Sequence, residues 1–227
     1  MEAVISTVTI VLTAQPGDSF AATDAAGTMN LIDAARAAGL GHFVFVSFDT
    51  SVVPECPLSR AKLTAEEHLT RSGLTYSILH PSLFMESWLG PVLFADTAAG
   101  TATVYGAGTT KIRYIAVANV AELAVQCLTA PMARNAIIPF GGPEELSQLD
   151  AVRIFEQGHA KPFAVTAVPE QALEAQWRTA NDPFEKTFAA LTLGLARGLD
   201  SGMRPPYESF PMEMVTVWDF VRGAGRQ

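Results

Sequence analysis

Residues that could contact a ligand follow three apolar runs of the sequence. Thr13 follows the first run, Ser47 the second, and His80, Pro81 and Ser82 the third. Because ligands of open parallel sheets bind outside the carboxyl ends of the strands, these residues are candidates for one cleft. Lys62, in the helical stretch after Ser47, is a cation close to them in the chain. It could hold an anion or a hydroxyl, although the ordinary expectation for a helix lysine is a solvated side chain.

Other motifs of binding or catalysis are missing from the sequence. A dinucleotide site needs glycines directly after a strand, so that backbone N–H groups at a helix start reach the pyrophosphate. Gly106-Ala107-Gly108, ahead of Lys111, lies between two strand-like stretches and predicts a hairpin turn instead. Neither a Walker motif nor a G-x-S-x-G elbow is found. Cys56 and Cys127 suit ordinary semi-buried thiols, and no His/Cys cluster has metal-ligand spacing.

The first eighty residues predict alternating strands and helices. Connections of this length require parallel strands and right-handed crossovers, and continuously apolar strands are buried on both faces. We therefore predict an α/β fold, a partial Rossmann-like doubly wound parallel sheet. The predicted elements are strand Val4–Leu12, helix Phe20–Ala38, strand Phe43–Ser47, helix Leu58–Ser72 and strand Tyr76–Leu79.

The remainder is less regular and predicts a small C-terminal α/β subdomain. Without repeats or an obvious linker, we expect one domain over residues 1–227, with 1–82 the Rossmann half and 83–227 an interwoven substrate region. Capping patterns at Asn119 and Ser147 each open a helix, and capping accounts for Asn119 fully. Further strands are predicted at Thr101–Tyr105, Lys111–Val117, Ala136–Phe140 and Phe163–Val168, and further helices at Glu170–Thr179, Phe184–Leu199 and Val215–Val221.

Composition excludes several classes of partner. Fifteen basic against twenty-three acidic side chains give a net charge of −8, which disfavours nucleic-acid binding. Hydrophobic residues make up 49% and charged residues 17%, enough for a large core. The apolar run Val4–Leu12 is too short to cross a bilayer, and Glu2 and the lack of a cleavage site disfavour a signal peptide. We expect a cytoplasmic protein without membrane contact.

Four segments in order carry a family resemblance. Residues 25–47, AAGTMNLIDAARAAGLGHFVFVS, resemble the fourth helix and fifth strand of atypical and extended short-chain dehydrogenases/reductases. Residues 72–86, SGLTYSILHPSLFME, resemble a stretch of the NmrA-like branch of that family. Residues 118–122, ANVAE, lie where the family carries D-[IV]-A, and residues 141–147, GGPEELS, resemble its G-P-E-x-L-S turn. The likeness extends from the first residues to about Ala190.

The resemblance implies roles and also shows departures. It implies that Lys62 donates to the nicotinamide ribose and that Thr13 and Ser47 line the dinucleotide cleft. The resemblance also implies that Pro81, Ser82 and Phe84 lie against the nicotinamide. The tyrosine of the family's Y-x-x-x-K pattern is replaced by Leu58, which cannot donate a proton, so the catalytic residues stay unknown. Phe48 or Asp49 stands at the family's serine, and His80 replaces a frequent arginine, where we expect a structural role.

The first strand resembles the family's fourth, so we expect three β-α units of roughly 25–30 residues each to be missing. In-frame DNA upstream of Met1 is then expected to encode a strand and a glycine-rich loop. The strand Val4–Leu12 would become an unprotected edge, through which we expect a dimer or aggregation. For this chain we expect weak NAD(P)H binding or none.

The implied function is an NAD(P)H-binding oxidoreductase that passes hydride to a small electrophile such as a quinone or enone, with water supplying the proton. Two alternatives stay open. One is a non-catalytic NAD(P)-sensing regulatory protein, and the other is an inactive truncated fragment. The sequence decides neither the substrate nor the choice between NAD and NADP, because the residues that select the cofactor follow a strand not present here.

Overall fold

The computed structural model describes residues 2–198, 203–206 and 209–223. Its strands are β1 Ala3–Ser6, β2 His42–Val46, β3 Thr75–Pro81, β4 Ala95–Asp96, β5 Thr101–Tyr105, β6 Lys111–Ile112, β7 Ala136–Phe140, β8 Leu146–Ser147 and β9 Ala164–Val168. A π-helical stretch, Ala21–Gly27, leads into α1 Thr28–Ala37. The other helices are α2 Pro57–Arg71, α3 Met85–Trp88, α4 Val117–Cys127, α5 Gln148–His159, α6 Glu170–Thr179, α7 Pro183–Arg197 and α8 Val217–Val221. Short 3-10 turns cover Thr50–Val52 and Pro131–Ala133.

The central sheet has the order β1-β2-β3-β7, with every pair of neighbours parallel. Alternate residues of β2 enter two helix layers, as a strand buried on both faces requires. Phe43 and Phe45 pack with α1 and α2, whereas Val44 packs with α4. This confirms the predicted α/β fold with a parallel sheet covered by helices.

The described residues form two further, smaller sheets. One has the order β4-β5-β9 and the other pairs β6 with β8. The hairpin predicted around Gly106-Ala107-Gly108 is therefore wrong, because β5 pairs with β4 and β9 and not with β6. The turn is real, with positive φ at Gly106 and Gly108, but it joins different sheets. The strand predicted over Lys111–Val117 is also shorter, since pairing with β8 ends at Ile112 and an isolated bridge at Ile115 follows.

The helix predicted to begin at the Asn119 capping pattern instead begins at Val117. Asn119 is buried within α4, where its Nδ2 donates to the Glu213 carbonyl at 2.8 Å and its Oδ1 accepts from Val215 N at 3.0 Å. The Glu86 carboxylate accepts from Val117 N and so caps α4. Asn119 therefore ties the segment around Glu213 and Val215 to α4. The helix predicted to end at Leu199 is α7; Leu199 itself lies outside the described residues.

The predicted strand Val4–Leu12 is shorter than expected, because pairing with β2 ends at Ser6. Beyond it, side chains take up the backbone groups: Lys62 Nζ donates to the Val8 carbonyl and Asp24 accepts from Ile10 N. Within the described residues β1 is an edge of the sheet, as predicted, and Ile5 is 39% exposed there. A dimer or aggregation through this edge stays a prediction.

A buried histidine gives a pH dependence that can be tested. Ser77 Oγ donates to the Ala133 carbonyl at 2.6 Å, so it accepts from His42 Nε2 at 2.9 Å. Nδ1 of His42 is then unprotonated, and within the described part of the chain it has no hydrogen-bond partner. Burial lowers the pKa of His42, and the positive charge of Arg134 lowers it further.

We expect the free energy of unfolding to fall as the pH drops from about 6.5, the ordinary histidine pKa, towards the lowered value in the fold. In that window the unfolded chain binds the proton and the folded chain does not, so acidification favours unfolding. Urea denaturation at several pH values gives the free energy of unfolding as a function of pH. This free energy should fall less on acidification for His42→Asn than for the parent, and an equal fall in the two proteins would contradict the prediction.

Candidate nicotinamide cleft

A cavity of about 510 Å³ lies at the carboxyl ends of β1, β2 and β3. This is the edge at which open α/β sheets bind ligands. Its walls are mostly apolar and come from the sheet, α2, α4, α7 and the loop around α3; they include Val46, Leu58, Phe84, Trp88, Val120 and Leu191. Such a lining suits a flat, uncharged group held by a few polar contacts.

Four of the residues predicted for the cleft lie together in this cavity. Pro81 ends β3, and Ser82 follows it and donates its backbone N–H to the Phe140 carbonyl. Phe84 precedes α3 and forms a bridge with Ile115. Ser47, one residue past β2, is buried, and its Oγ has no hydrogen-bond partner among the described residues. A buried hydroxyl on a cavity wall is suited to bond a ligand.

Lys62 also lines the cavity, but its ammonium group is engaged within the protein. Nζ donates to the Val8 carbonyl at 2.7 Å, lies 3.4 Å from Asp24 Oδ1 and sits 5.1 Å from the centre of the Phe45 ring. Burial lowers the pKa of Lys62, and the carboxylates of Asp24 and Glu66 oppose that effect. The lysine thus holds the cavity wall in this structure.

Asp24, which contacts Lys62 behind the cavity wall, was not predicted from the sequence. Its side chain is completely buried in the π-helical stretch, and Oδ2 accepts from Ile10 N at 3.2 Å. Local widening of a helix to the π form is frequent at functional sites. The available signal was a single acid within the small-residue stretch AATDAAG, where an exposed carboxylate would be the ordinary expectation.

Thr13 is not among the cavity-lining residues, contrary to its predicted place. Because β1 ends at Ser6, the chain reaches the cleft earlier, and Thr7 and Thr9 line it instead. The Thr13 hydroxyl donates to the Thr9 carbonyl at 3.4 Å, within an exposed turn. The preceding residue, Leu12, does line the cavity, and a contact of Thr13 with the dinucleotide stays a prediction.

Leu58 lies one helical turn before Lys62 on α2, and both line the cavity. The position that the resemblance assigns to the family's tyrosine is therefore an aliphatic wall. His80 does not line the cavity; its Nε2 lies 2.9 Å from Oε1 of Glu66, which lies on α2 one turn after Lys62. Lys62 is the single Lys, Arg or His among the lining residues that the structure describes.

Residues 1–192 match the model of the NmrA-like family. The chain belongs to the NmrA-like family. This confirms the family resemblance carried by the four segments of the sequence.

Among relatives of this NmrA-like chain, the NAD(P)H azoreductase of Xenophilus azovorans is 29% identical over 149 residues, which cover 64% of the chain and 51% of the azoreductase. The chain spans about half the length of the curated relatives it matches. A leucoanthocyanidin reductase from Vitis vinifera, solved with NADPH, has a TM-score of 0.78 at 14% identity and covers 100% of this chain and 76% of its own.

An NADPH-dependent quinone oxidoreductase from Escherichia coli, also solved with NADPH, has a TM-score of 0.71 at 19% identity; the match covers 96% of this chain and 74% of the oxidoreductase. At these identities the two structures show the fold, which is the Rossmann-like fold of NADPH-binding reductases. In the described ranges no helix has the length and apolar character needed to span a membrane. The same ranges hold no group of three or more His, Cys, Asp or Glu side chains suited to a metal ion.

Proposed function

We propose that the described residues form the nicotinamide and acceptor half of an NAD(P)H-dependent reductase, which passes hydride to a small, flat, uncharged electrophile such as a quinone or enone. The observation that carries this proposal is the apolar cavity at the carboxyl ends of β1, β2 and β3. The reaction consumes NAD(P)H and one proton and yields NAD(P)+ and the reduced acceptor. A cytoplasmic location belongs to the same proposal.

The residues present suit the nicotinamide end of the cofactor. The Phe84 ring and Pro81 offer apolar surface for a flat ring, and the unpaired Ser47 hydroxyl offers a hydrogen bond to a carboxamide or a ribose hydroxyl. The same residues offer little to the diphosphate. A diphosphate needs cations or a row of backbone N–H donors, but the Lys62 ammonium is already bonded to the Val8 carbonyl and paired with Asp24. We therefore propose that these residues bind the whole dinucleotide weakly.

The chemistry of the walls restricts the acceptor. When bound, a reduced nicotinamide supplies a hydride at its ring. Leu58 has no proton to give and the Lys62 ammonium is bonded within the protein, so we propose that water supplies the proton to the acceptor. This favours quinones, which form a stabilised hydroquinone anion on hydride transfer, over simple ketones, which form a less stable alkoxide. The apolar walls exclude water from the rest of the cavity and orient flat rings against one another.

The relatives support this class of reaction. The names of the X. azovorans relative and of the E. coli neighbour describe an azo reductase and a quinone reductase. Azo dyes and quinones are conjugated acceptors that suit an apolar cavity without a proton-donating side chain.

The proposal is tested with a hydride donor that carries no diphosphate, 1-benzyl-1,4-dihydronicotinamide, and menadione as the quinone. We expect the chain to accelerate donor oxidation, with kcat/KM for this donor within about tenfold of that for NADPH, because one or two hydrogen bonds to the diphosphate add little more than this. Both rates are followed by loss of the donor's absorbance.

Ser47→Leu should lower kcat/KM about tenfold or more, since it removes a hydrogen bond and fills the cavity. The matched control is Thr70→Leu, at an exposed hydroxyl residue of α2 outside the cavity, which should leave the rate unchanged. Absence of donor oxidation above background would contradict the reductase. Saturable donor binding without turnover would instead support an NAD(P)-sensing regulatory protein.

A further inference from the structure

One wall of the cavity is the segment of residues 7–12, here named the wall segment, which directly follows β1. Thr7, Thr9, Val11 and Leu12 line the cavity. Pairing of β1 with β2 has already ended at Ser6, so the sheet's hydrogen bonds do not fix this segment. Something else must hold its backbone if the wall is to keep its shape.

Two buried side chains hold it, through alternate residues. Lys62 Nζ donates to the Val8 carbonyl at 2.7 Å, and Asp24 Oδ2 accepts from Ile10 N at 3.2 Å. The two side chains are themselves 3.4 Å apart, and both are almost fully buried. The Lys62–Asp24 pair therefore presents one donor and one acceptor to the wall segment, as a neighbouring strand would.

We propose that Asp24 is a positioning residue of the cleft, which acts through Lys62 and the Ile10 amide to hold Thr7 and Thr9 in the wall that faces the ligand. The identity of that ligand rests on the proposed function, but the positioning does not. Charge-assisted hydrogen bonds are stronger than neutral ones, and a dry environment strengthens them further.

The surroundings of Lys62 agree with this role for Asp24. The groups that face Nζ are the Asp24 carboxylate from the π-helical stretch, Glu66 from the next turn of α2, the Phe45 ring and the Val8 carbonyl. Asp24 makes the largest contribution that opposes the lowering of the Lys62 pKa by burial. Without the carboxylate, the lysine loses its ion-pair partner 3.4 Å away and the largest influence that opposes the lowering of its pKa by burial.

The test compares Asp24→Ala, which removes the acceptor, with Asp24→Asn, which keeps one of the same shape. Amide hydrogen exchange at Ile10 and the KM and kcat for 1-benzyl-1,4-dihydronicotinamide with menadione are measured in each. For Asp24→Ala we expect Ile10 exchange and KM each to rise about tenfold with kcat within about twofold, and Asp24→Asn to recover most of both. Asp33→Asn, at an exposed carboxylate paired with His68, is the control and should match the parent.

The inference is overturned if Asp24→Ala keeps the parent's Ile10 exchange and KM. It is also overturned if both variants speed the exchange of Val44 and Ile78 as much as that of Ile10, because Asp24 then supports the whole core. If Asp24→Ala does not fold, the double variant Lys62→Met with Asp24→Leu replaces it, and a parent-like KM there overturns the inference. If the parent itself shows no turnover, the proposed function fails, while Ile10 exchange still decides the positioning role.

Discussion

Lys62→Met is expected to lower the free energy of unfolding by about 3–5 kcal/mol, the cost of leaving one partner of a buried ion pair alone. The side chains of Lys62 and Asp24 are 6% and 0% exposed. Removing the ammonium leaves the carboxylate buried beside an unpaired Val8 carbonyl. Urea or thermal denaturation, followed by circular dichroism, measures the loss.

Two further variants make this prediction specific. Lys62→Met combined with Asp24→Leu should recover part of the loss, since it removes the lone buried charge but still leaves the Val8 carbonyl and the Ile10 N–H without their side-chain partners. Lys111→Met breaks an exposed pair with Asp150 and should cost no more than about 1 kcal/mol. Equal losses for Lys62→Met and Lys111→Met would mean that the buried pair is not what holds this part of the fold.

Gly142→Ala is expected to lower the free energy of unfolding by about 3 kcal/mol or more, because overpacking of a tight contact forces the backbone to move. A β-carbon at Gly142 would lie 1.8 Å from the Tyr114 carbonyl oxygen. The residue after Tyr114, Ile115, exchanges backbone hydrogen bonds with Leu83 and Met85, which flank the cavity-lining Phe84. The variant should therefore also slow donor oxidation.

Gly27→Ala is the matched control for this glycine. Its added β-carbon would meet no atom closer than 3.4 Å, and its φ is helical, so the unfolding free energy should change by no more than about 1 kcal/mol. Denaturation of both variants under the same conditions checks the contrast. A Gly142→Ala protein as stable as the parent would show that residues 113–115 can shift without cost.

Elements with a strong local pattern were predicted well from the sequence. The bounds predicted for Ala136–Phe140 and Glu170–Thr179 are those of β7 and α6. The capping pattern at Ser147 is also confirmed, because its side chain accepts from Asp150 N and opens α5. For β7, α6 and the start of α5, residues close together in the sequence are enough to predict the element.

The errors arise where a distant side chain competes with a local pattern. The β-branched run after Ser6 has the composition of a strand, but Lys62 and Asp24 bind its backbone, and pairing with β2 ends at Ser6. Asn119 has the residue type of a helix cap, yet its amide binds the chain about 95 residues later, at Glu213 and Val215. Such contacts join segments that no local spacing relates.

The cleft itself could be predicted in part. Ser47, Lys62, Pro81, Ser82 and Phe84 come together because parallel strands present their carboxyl ends at one edge. The family resemblance identified Phe84 as a candidate residue and showed that Leu58 stands at the position of the family's tyrosine. The sequence could not show that the charge of Lys62 is already engaged, since this depends on Asp24 being buried.

The most direct test of the proposed cleft is the stereochemistry of hydride transfer. In this measurement, the chain catalyses oxidation of dihydronicotinamide riboside, deuterated on one face at C4, by menadione. The deuterium that remains in the oxidised nicotinamide riboside is measured by mass spectrometry. A donor held against one wall of the cavity loses hydrogen from a single face, so the product should retain all of the deuterium or none, apart from the background reaction. Equal amounts of deuterated and undeuterated product, after correction for the isotope effect, would contradict a bound nicotinamide and with it the proposed reductase.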